Sequence, residues 1–223
     1  MDKQFELLFG LSFETKLIFD RIHNCDAIQI KNAENKIIFS VKDLEYLYVN
    51  NIQKYCDKNQ VQVGGKEIMK RIIQLGGILN VKYIELNDCA MINLGDYKEF
   101  SIALAPIEII TTGISWYNKL GFISKNSEEE IIENEKINNT LFNELFCTEF
   151  GYKKLDRFKE NFKEIDYDGK TLKQIFMYLK ETYINRDHKM RKKMTLRQSD
   201  IIEELTIDFC DILCYETTLI HYL

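Results

Sequence analysis

A glycine pair, an amphipathic helix and an alternating strand follow one another in the middle of the chain. The stretch "GGKEIMKRIIQLGGIL" (64–79) places apolar residues at helical spacing, and "VKYIELND" (81–88) alternates in part, as a strand does. A helix linked so closely to a strand packs on the sheet that contains the strand, which predicts a fold of mixed α and β structure. Gly76 and Gly77 are expected to end or kink the helix, because glycine costs about 1 kcal/mol within one.

The residues before this helix predict mainly strands. The segments "DAIQIKN" (26–32) and "NKIIFSVKD" (35–43) are rich in β-branched residues, and the turn "NAEN" between them indicates a hairpin. The segment "LEYLYVNNI" (44–52) predicts a third strand. By contrast, "LSFETKLIFDRI" (11–22) has apolar residues at helical spacing and predicts a helix.

The residues after this strand complete the first of two predicted domains. A short strand is expected to reach Leu104, and a helix opened by Pro106 should follow, because the missing N–H of proline is harmless in the first turn. Gly121 is well placed to stop that helix. We therefore predict an α/β domain over residues 1–124.

The rest of the chain predicts a helical subdomain over residues 125–223. Apolar residues recur at helical spacing through most of this part. Two residue pairs have the spacing of a capping box, Ser127 with Glu130 and Thr171 with Gln174. Each pair predicts the start of a helix.

Charge and length narrow the classes of function. The chain has 223 residues and a formal charge of −5, whereas nucleic-acid-binding proteins usually carry a basic excess. The stretch 186–197 has six Lys or Arg residues, but 200–216 has six acidic residues and balances it. We do not expect nucleic-acid binding, and a role of 186–197 in it is the weaker alternative.

Apolar segments and cysteines give an expected compartment. No run approaches the ~20 apolar residues that span a bilayer, and the amino terminus lacks the pattern of a signal peptide. The six cysteines are scattered, and with three histidines in the chain a metal site has little support. These features predict a protein of the reducing cytoplasm with no membrane partner and no metal.

The glycines before the central helix are candidates for binding phosphate. A helix start combines free backbone N–H groups with the positive end of the helix dipole, and both favour an anion. Gly64 and Gly65 would let a ligand approach the backbone closely. The alternative is a glycine turn that only leads into a core helix.

The order of these elements resembles that of the Gcn5-related N-acetyltransferases over residues 44–123. In that family a Gln/Arg-x-x-Gly-x-Gly/Ala signature binds the pyrophosphate of coenzyme A. On this chain the signature falls on Gln60, Val63 and Gly65, followed by the aliphatic pair Ile68-Met69. Val63 stands where the family has its first glycine.

The resemblance implies a fold, a cofactor and a set of binding residues. The implied fold is that of the acyl-CoA N-acyltransferases, a mixed, mostly antiparallel sheet flanked by helices, here with a helical extension. The implied cofactor is acetyl-CoA. Its binding residues would be Gln60, Val63, Gly64, Gly65 and Lys66.

The family's second signature resembles "WYNKLGF". Tyr117 would correspond to the tyrosine that lies beside the thiol of coenzyme A and reprotonates it, and Gly121-Phe122 to the turn into the next strand. A phenol with a pKa near 10 is a reasonable acid for a thiolate. The alternative is that Trp116 and Tyr117 fill the core with their polar tips outward.

A general base is the remaining requirement of an acetyl transfer to an amine. Glu85 in "YIELND" is our candidate, with Glu45 and Asp88 as other carboxylates. The first hypothesis is transfer of an acetyl group from acetyl-CoA to an amine of a small molecule or a protein. The alternative, favoured by Val63, is a catalytically inactive member of the fold with a binding or structural role.

Two segments also resemble uncharacterised proteins of large DNA viruses. They are "YIELNDCAMI" (83–92) and "TTGISWYNKLGF" (111–122), and the abundance of Lys, Asn and Ile fits such an origin. This second resemblance implies a location in the host cytoplasm or in the virion. It assigns no reaction.

Overall fold

The chain combines α and β structure, as the sequence predicts. The computed structural model describes residues 2–21, 24–32, 36–43, 45–52, 63–94, 101–184 and 193–223. Within these residues lie eight α-helices and a six-stranded, mostly antiparallel sheet. No helix among them is long and apolar enough to cross a membrane.

The strands and helices have the following bounds. The strands are β1 (Phe13–Asp20), β2 (Cys25–Asn32), β3 (Ile37–Lys42), β4 (Tyr46–Ile52), β5 (Tyr83–Asn87), β6 (Met91–Asn93), β7 (Ser101–Ala103) and β8 (Thr218–Tyr222). The α-helices are α1 (Asp2–Phe9), α2 (Gly65–Leu79), α3 (Leu104–Thr112), α4 (Ser127–Asn138), α5 (Phe142–Leu145), α6 (Tyr152–Asn161), α7 (Leu172–Leu179) and α8 (Leu196–Ile212). A 3-10 helix lies at Asn118–Leu120, and π-helical turns continue α5 and α7 at Phe146–Phe150 and Lys180–Ile184.

Two compact units interleave along the sequence. The first unit consists of Met1–Asp88, Leu120–Ser124 and Thr217–Leu223, and the second of Cys89–Lys119 and Lys125–Glu216. The predicted domains are continuous in sequence, whereas these units are not. The last strand of the chain thus belongs to the sheet, and residues 89–119 belong with the helices.

The first unit is built on the six-stranded sheet. Its strand order is β1-β2-β3-β4-β5-β8, and the neighbours are antiparallel except for the parallel pair β4–β5. The predicted hairpin is confirmed as β2–β3, and the predicted strands at 44–52 and 81–88 are confirmed as β4 and β5. Ile123 adds an isolated antiparallel bridge to Ile220 of β8.

Aromatic rings fill the core of the first unit between α1 and the sheet. Phe5 and Phe9 of α1 are fully buried against Phe13 of β1 and Phe39 of β3. The ring centres of these residues lie between 5.5 and 6.4 Å apart. Large rings in such contact stabilise a fold through buried area and favourable ring geometry.

The segment 11–22 contains a strand, not the predicted helix. β1 lies at an edge of the sheet and pairs antiparallel with β2 over its whole length. Leu17 is 75% exposed and Phe19 is 59% exposed, although both are apolar. Both follow the alternation from Phe13, but Ile18 on the other face breaks it, and residues 13, 17, 18 and 22 together have helical spacing.

α2 runs unbroken through its two internal glycines. It ends at Leu79, where Asn80 takes the left-handed conformation with φ of 53° and its N–H bonds back to the carbonyls of Gly76 and Gly77. The predicted break at the glycines is wrong. The cap at Asn80 ends the helix, because asparagine tolerates the left-handed conformation that a helix end requires.

The two glycines of α2 should respond differently to alanine. A Cβ at Gly77 would meet no described atom within 4 Å, so Gly77→Ala is expected to stabilise the protein by about 0.5–1 kcal/mol through helix propensity. A Cβ at Gly76 would lie 2.6 Å from Cδ1 of Leu223 and 3.0 Å from Cδ1 of Ile84, which offsets that gain. Urea denaturation should rank Gly77→Ala above Gly76→Ala by about 1 kcal/mol or more. Equal gains for both variants would contradict this packing.

The second unit packs helices around α3. α3 contacts α4, α7 and α8, and its residues from Leu104 to Thr111 are buried. Around it lies one continuous apolar core that includes six fully buried phenylalanines, Phe142, Phe146, Phe158, Phe162, Phe176 and Phe209. The short β6–β7 ladder also belongs to this unit.

α3 ends earlier than the sequence predicts. Gly113 is its C-cap, with φ of 87°, so the helix stops there and not at Gly121. Gly121 also has φ of 87°, but it follows the 3-10 helix. Both glycines supply a left-handed residue, and the first one in the chain ends the helix.

One of the two predicted capping boxes is present. Thr171 and Gln174 form it at the start of α7. The box predicted at Ser127 is wrong, because the N-cap of α4 is Asn126 and no side chain caps it. The carboxylate of Glu130 instead accepts a hydrogen bond from the backbone N–H of Glu216, at 2.8 Å.

Candidate functional site

A helix begins near the carboxyl ends of the parallel strands β4 and β5. α2 connects the two strands, as a parallel pair requires a crossover. Because α2 packs on β5 and ends just before that strand begins, its first turn lies towards the carboxyl ends of both strands. Ligands commonly bind outside the carboxyl ends of parallel strands.

The pairing of β4 with β5 stops near the carboxyl ends of the two strands. Their pairing ends with Val49 opposite Leu86. Beyond that point β4 continues to Ile52 beside β3, while Asn87 at the end of β5 pairs with β8. The last residues of β4 therefore have no described strand on the side where β5 lies.

A β-bulge lies just after the last paired residue of β4. The register between β3 and β4 shifts so that Asn50 is the extra residue of β4. Its side-chain oxygen accepts a hydrogen bond from Oγ of Ser40, at 2.8 Å, and Ser40 is fully buried. A bulge bends its strand and increases the local twist, so β4 is irregular at this point.

The start of α2 carries no side-chain cap. Gly64 is the N-cap in an extended conformation, with φ of −73°. A Cβ at Gly64 would meet no described atom within 4 Å, so neither crowding by the described residues nor backbone conformation requires glycine there. In the described part of the chain, the N–H groups of Gly65 and Lys66 have no acceptor. Two amides are thus left to bind a ligand oxygen.

The other predicted cofactor-binding residues have different surroundings. The side chain of Val63 is buried in the core at 5% exposure, and its φ is not positive. Lys66 is exposed to solvent. Gln60 lies outside the described residues. Val63 therefore presents only its backbone at this helix start.

Glu85 lies on the face of the sheet that carries three tyrosines. It is opposite Tyr48 across the β4–β5 pair, and the stacked rings of Tyr46 and Tyr83, 4.9 Å apart, lie on the same face. Burial, followed by the negative charge of Glu85, raises the pKa of both Tyr46 and Tyr83. These phenols stay protonated at neutral pH beside a carboxylate.

A short hydrogen-bond chain holds the end of β5. Oγ1 of Thr218 donates to Oδ1 of Asn87 at 3.1 Å, and Nδ2 of Asn87 donates to Oη of Tyr48 at 3.0 Å. These residues share the face of Glu85. These hydrogen bonds link β8, β5 and β4 through their side chains.

The two other candidate bases are differently placed. Glu45 lies just before the amino end of β4, at the other end of the strand from the start of α2. Its carboxylate pairs with Nζ of Lys82 at 2.5 Å. Asp88 follows β5 and is buried at 7% exposure, with its backbone N–H donating to the carbonyl of Thr217 at 2.7 Å. Of the three carboxylates, Glu85 is the one that lies opposite Tyr48 within the β4–β5 pair.

Tyr117 lies in a turn of the second unit. Its ring meets the ring of Trp116 edge-on, with centres 4.9 Å apart, and both side chains are half-buried. The turn follows α3 and precedes the 3-10 helix, so neither residue is on a helix. The structure brings Glu85 and the start of α2 into the first unit and places Tyr117 in the second.

Two buried ion clusters were missed by the sequence reasoning. Lys42, fully buried, pairs with Asp20 in the first unit at 2.6 Å. Glu108 in the second unit pairs with Lys119 at 2.5 Å and Lys180 at 2.7 Å. A lone glutamate inside the apolar run "APIEII" was the available signal for the second cluster.

Comparisons with known proteins leave the relationship open. No protein-family model, no curated protein and no solved structure matches the chain. Within the described residues, no group of three or more His, Cys, Asp or Glu side chains could hold a metal ion.

Proposed function

We propose that the first unit binds acetyl-CoA and serves an acetyl transfer to an amine. The observation that carries the proposal is the uncapped start of α2, which follows a strand β4 that extends beyond its pairing with the parallel strand β5. The pyrophosphate would accept hydrogen bonds from the amides of Gly65 and Lys66. The pantetheine arm would lie along the open edge of β4 past Asn50, as an added strand does.

The charges around the start of α2 support an anionic ligand. Lys66 and Lys70 are exposed in the first turns of the helix, and Glu67 is paired with Arg71 at 3.0 Å. The dipole of a 15-residue helix adds positive potential at its first turn. Both features attract a diphosphate.

Glu85 is the proposed base of the reaction. The amine nitrogen would attack the thioester carbonyl carbon, the C–S bond would break, and the amine proton would pass to Glu85, directly or through a water molecule. The leaving thiolate takes up a proton. The role of Tyr117 as donor of that proton stays a prediction from the family resemblance.

An aspartate at Gly64 should separate folding from cofactor binding. Gly64 has the extended conformation of an N-cap, so Gly64→Asp is expected to stabilise the free protein by about 0.5–1 kcal/mol through capping and the helix dipole. The same carboxylate would repel the pyrophosphate and weaken acetyl-CoA binding by about tenfold or more. Thermal denaturation and isothermal titration calorimetry measure the two effects.

Gly77→Asp is the matched control for Gly64→Asp. It adds the same charge to α2 at an exposed and uncrowded position near the other end of the helix. We expect it to leave acetyl-CoA affinity unchanged. The cofactor proposal fails if wild-type protein is not stabilised by acetyl-CoA at about 1 mM, a concentration that detects even weak binding to the native state.

The second candidate function is that of a non-catalytic binding protein of the same architecture. The buried side chain of Val63, in place of the family's glycine, favours this candidate. Binding of coenzyme A without release of free thiol in the presence of amines would support it. Acetyl transfer to an amine that is lost in Glu85→Gln, with acetyl-CoA binding retained, would support the enzyme.

A further inference from the structure

β1 is an edge strand with an open outer side. In the described part of the chain, β2 is the one strand that pairs with it. The outer side of β1 therefore presents backbone N–H and C=O groups that no described strand pairs, and such a row is a template for pairing with another chain. Neither a proline nor a register shift interrupts this strand along its length.

Two large apolar side chains are exposed on this edge strand. Leu17 is 75% exposed and Phe19 is 59% exposed, and both lie on the face of the sheet that carries Phe13. At Phe13 that face is covered by Phe5 and Phe9 of α1. Beyond Phe13 the apolar surface continues into solvent at the outer edge, as expected of a strand that pairs with another chain.

The other face of β1 carries two exposed charges, Glu14 and Lys16. A lysine in the middle of an edge strand usually prevents pairing, because its ammonium group would have to lie beside the neighbouring strand. In β1 a glutamate of opposite charge lies two residues before the lysine. Pairing is therefore favourable in a register that sets Glu14 opposite Lys16, since opposite charges across a strand pair attract.

A second copy of this chain supplies that register. When two copies of β1 pair antiparallel about a two-fold axis at Thr15, Glu14 of each copy lies opposite Lys16 of the other. Thr15 then lies opposite the same residue of the second copy, which is a favourable cross-strand pair. On the apolar face, Leu17 lies opposite Phe13 of the second copy. Both faces of β1 are thus complementary to themselves about this axis.

Other positions of the two-fold axis are less favourable. An axis at Glu14 or at Lys16 places two like charges directly opposite each other. An axis at residue 17 places Glu14 opposite Asp20, again two like charges. An axis at Ile18 places Lys16 opposite Asp20, whose buried carboxylate already has an ammonium partner at 2.6 Å. The axis at Thr15 is the one that gives both exposed charges a new partner.

We propose that the protein forms a symmetric dimer through β1, with the two sheets joined edge to edge about Thr15. Backbone hydrogen bonds between the two strands hold the copies together, and the charges of Glu14 and Lys16 set the register. The interface is a single strand pair, so it is small and the dimer dissociates on dilution. β1 lies at the opposite edge of the sheet from β8, and the dimer is independent of acetyl-CoA binding at β4, β5 and α2.

Reversing the charges of β1 tests the register. Lys16→Glu places two like charges opposite each other in both pairs and should weaken dimerisation at least about tenfold, and Glu14→Lys should do the same. The double variant Glu14→Lys/Lys16→Glu exchanges the charges and should restore the wild-type dimer, because each lysine again lies opposite a glutamate. Sedimentation equilibrium of the full-length protein from about 5 to about 500 μM measures the dissociation constant.

Lys153→Glu is the matched control for these variants. It makes the same change of charge at an exposed position of α6 and should leave the dissociation constant of the dimer unchanged. Circular dichroism checks that every variant is folded. Residues 14 and 16 are both exposed, so neither single variant is expected to unfold the protein.

A cysteine at the two-fold axis gives an independent test. Thr15→Cys places two thiols on directly opposite residues, whose Cα atoms lie about 4.5–5.5 Å apart in a strand pair and can be joined by a disulfide. Oxidation should link this variant into covalent dimers beyond the level that wild type forms through its native cysteines. Ile18→Cys should not exceed that level, because its two thiols would lie roughly 20 Å apart in this register.

Three results would overturn the proposal. The first is a wild-type protein that stays monomeric up to about 500 μM, a range that covers weak association through a small interface. The second is a charge-exchanged double variant that dimerises no better than the single variants. The third is stronger cross-linking of Ile18→Cys than of Thr15→Cys, which would show a different register. Equal loss of the dimer in Lys153→Glu would place the interface outside β1.

Discussion

Lys42→Ala is expected to destabilise the protein by about 3–5 kcal/mol, the usual cost of leaving a buried charge without its partner. Lys42 is fully buried, and its ammonium lies 2.6 Å from Oδ2 of Asp20, whose side chain is 9% exposed. The ammonium also lies 4.4 Å from the ring centre of Tyr48, a contact that stabilises a cation removed from water. Urea denaturation followed by circular dichroism measures the loss.

Two further variants separate the charge effect from simple loss of packing. The double variant Asp20→Asn/Lys42→Met removes both charges and keeps most of the volume, so it should recover most of the lost stability. Lys82→Ala breaks the solvent-exposed pair with Glu45 and should produce no measurable change, because water screens both charges. A double variant as unstable as Lys42→Ala would show that packing, and not the buried charge, dominates at this position.

Strands were predictable where β-branched and aromatic residues lie between turn signals. The positions of the hairpin β2–β3 and of the strands β4 and β5 were predicted correctly in this way, although burial alternates only along β5. In β1 the apolar residues Phe13, Leu17 and Phe19 share one face, but Ile18 lies on the other face, and residues 13, 17, 18 and 22 also fit helical spacing. The pairing with β2 distinguishes the two possibilities.

Helix ends were less predictable because several residues can adopt the left-handed conformation. Glycine was the expected stop in both α2 and α3. In α2 the stop is Asn80, three residues beyond Gly77, and in α3 it is Gly113 and not Gly121. Which residue ends a helix depends on the tertiary packing of its last turn, which the local sequence does not contain.

The candidate site was partly visible in the sequence. Gly64 and Gly65 could be identified because an anion site at a helix start is formed by the backbone of consecutive residues. The bulge at Asn50 and the pairing of β5 with β8, which lies more than a hundred residues further along the chain, were not visible. Contacts of this kind leave no mark in the spacing of residues.

The buried ion clusters illustrate the same limit. Asp20 and Lys42 are brought together by strand pairing, and Glu108 meets Lys180 through packing of α3 on α7. A charged residue in an apolar run predicts that a partner exists, since a buried charge without one is costly. It does not predict which of many lysines is that partner.

Glu108→Gln is expected to lower the free energy of unfolding by about 2–3 kcal/mol at neutral pH. This is less than the full cost of breaking a buried ion pair, because both lysines keep some contact with water. The carboxylate accepts from Lys119 and Lys180, and its backbone carbonyl accepts from Oγ1 of Thr112 at 2.8 Å. Glutamine keeps the shape but leaves two ammonium groups close together without an anion. Denaturation by urea at neutral pH measures this difference.

The pH dependence of stability gives a second signature of Glu108. Burial raises the pKa of this carboxyl, but the hydrogen bonds and charges of Lys119 and Lys180 outweigh burial, so the pKa in the folded protein lies below the ordinary value of 4.5. Acid therefore protonates the unfolded chain first, and the stability from this cluster is complete above about pH 5 and falls as the pH drops below 4.5 towards the lowered value. Glu108→Gln should lose that part of the acid dependence.

Glu133→Gln, which breaks an exposed pair with Lys136, is the control and should keep the wild-type profile within about 0.5 kcal/mol. Identical acid profiles for wild type and Glu108→Gln would mean that the two lysines do not hold this carboxylate ionised in the folded protein.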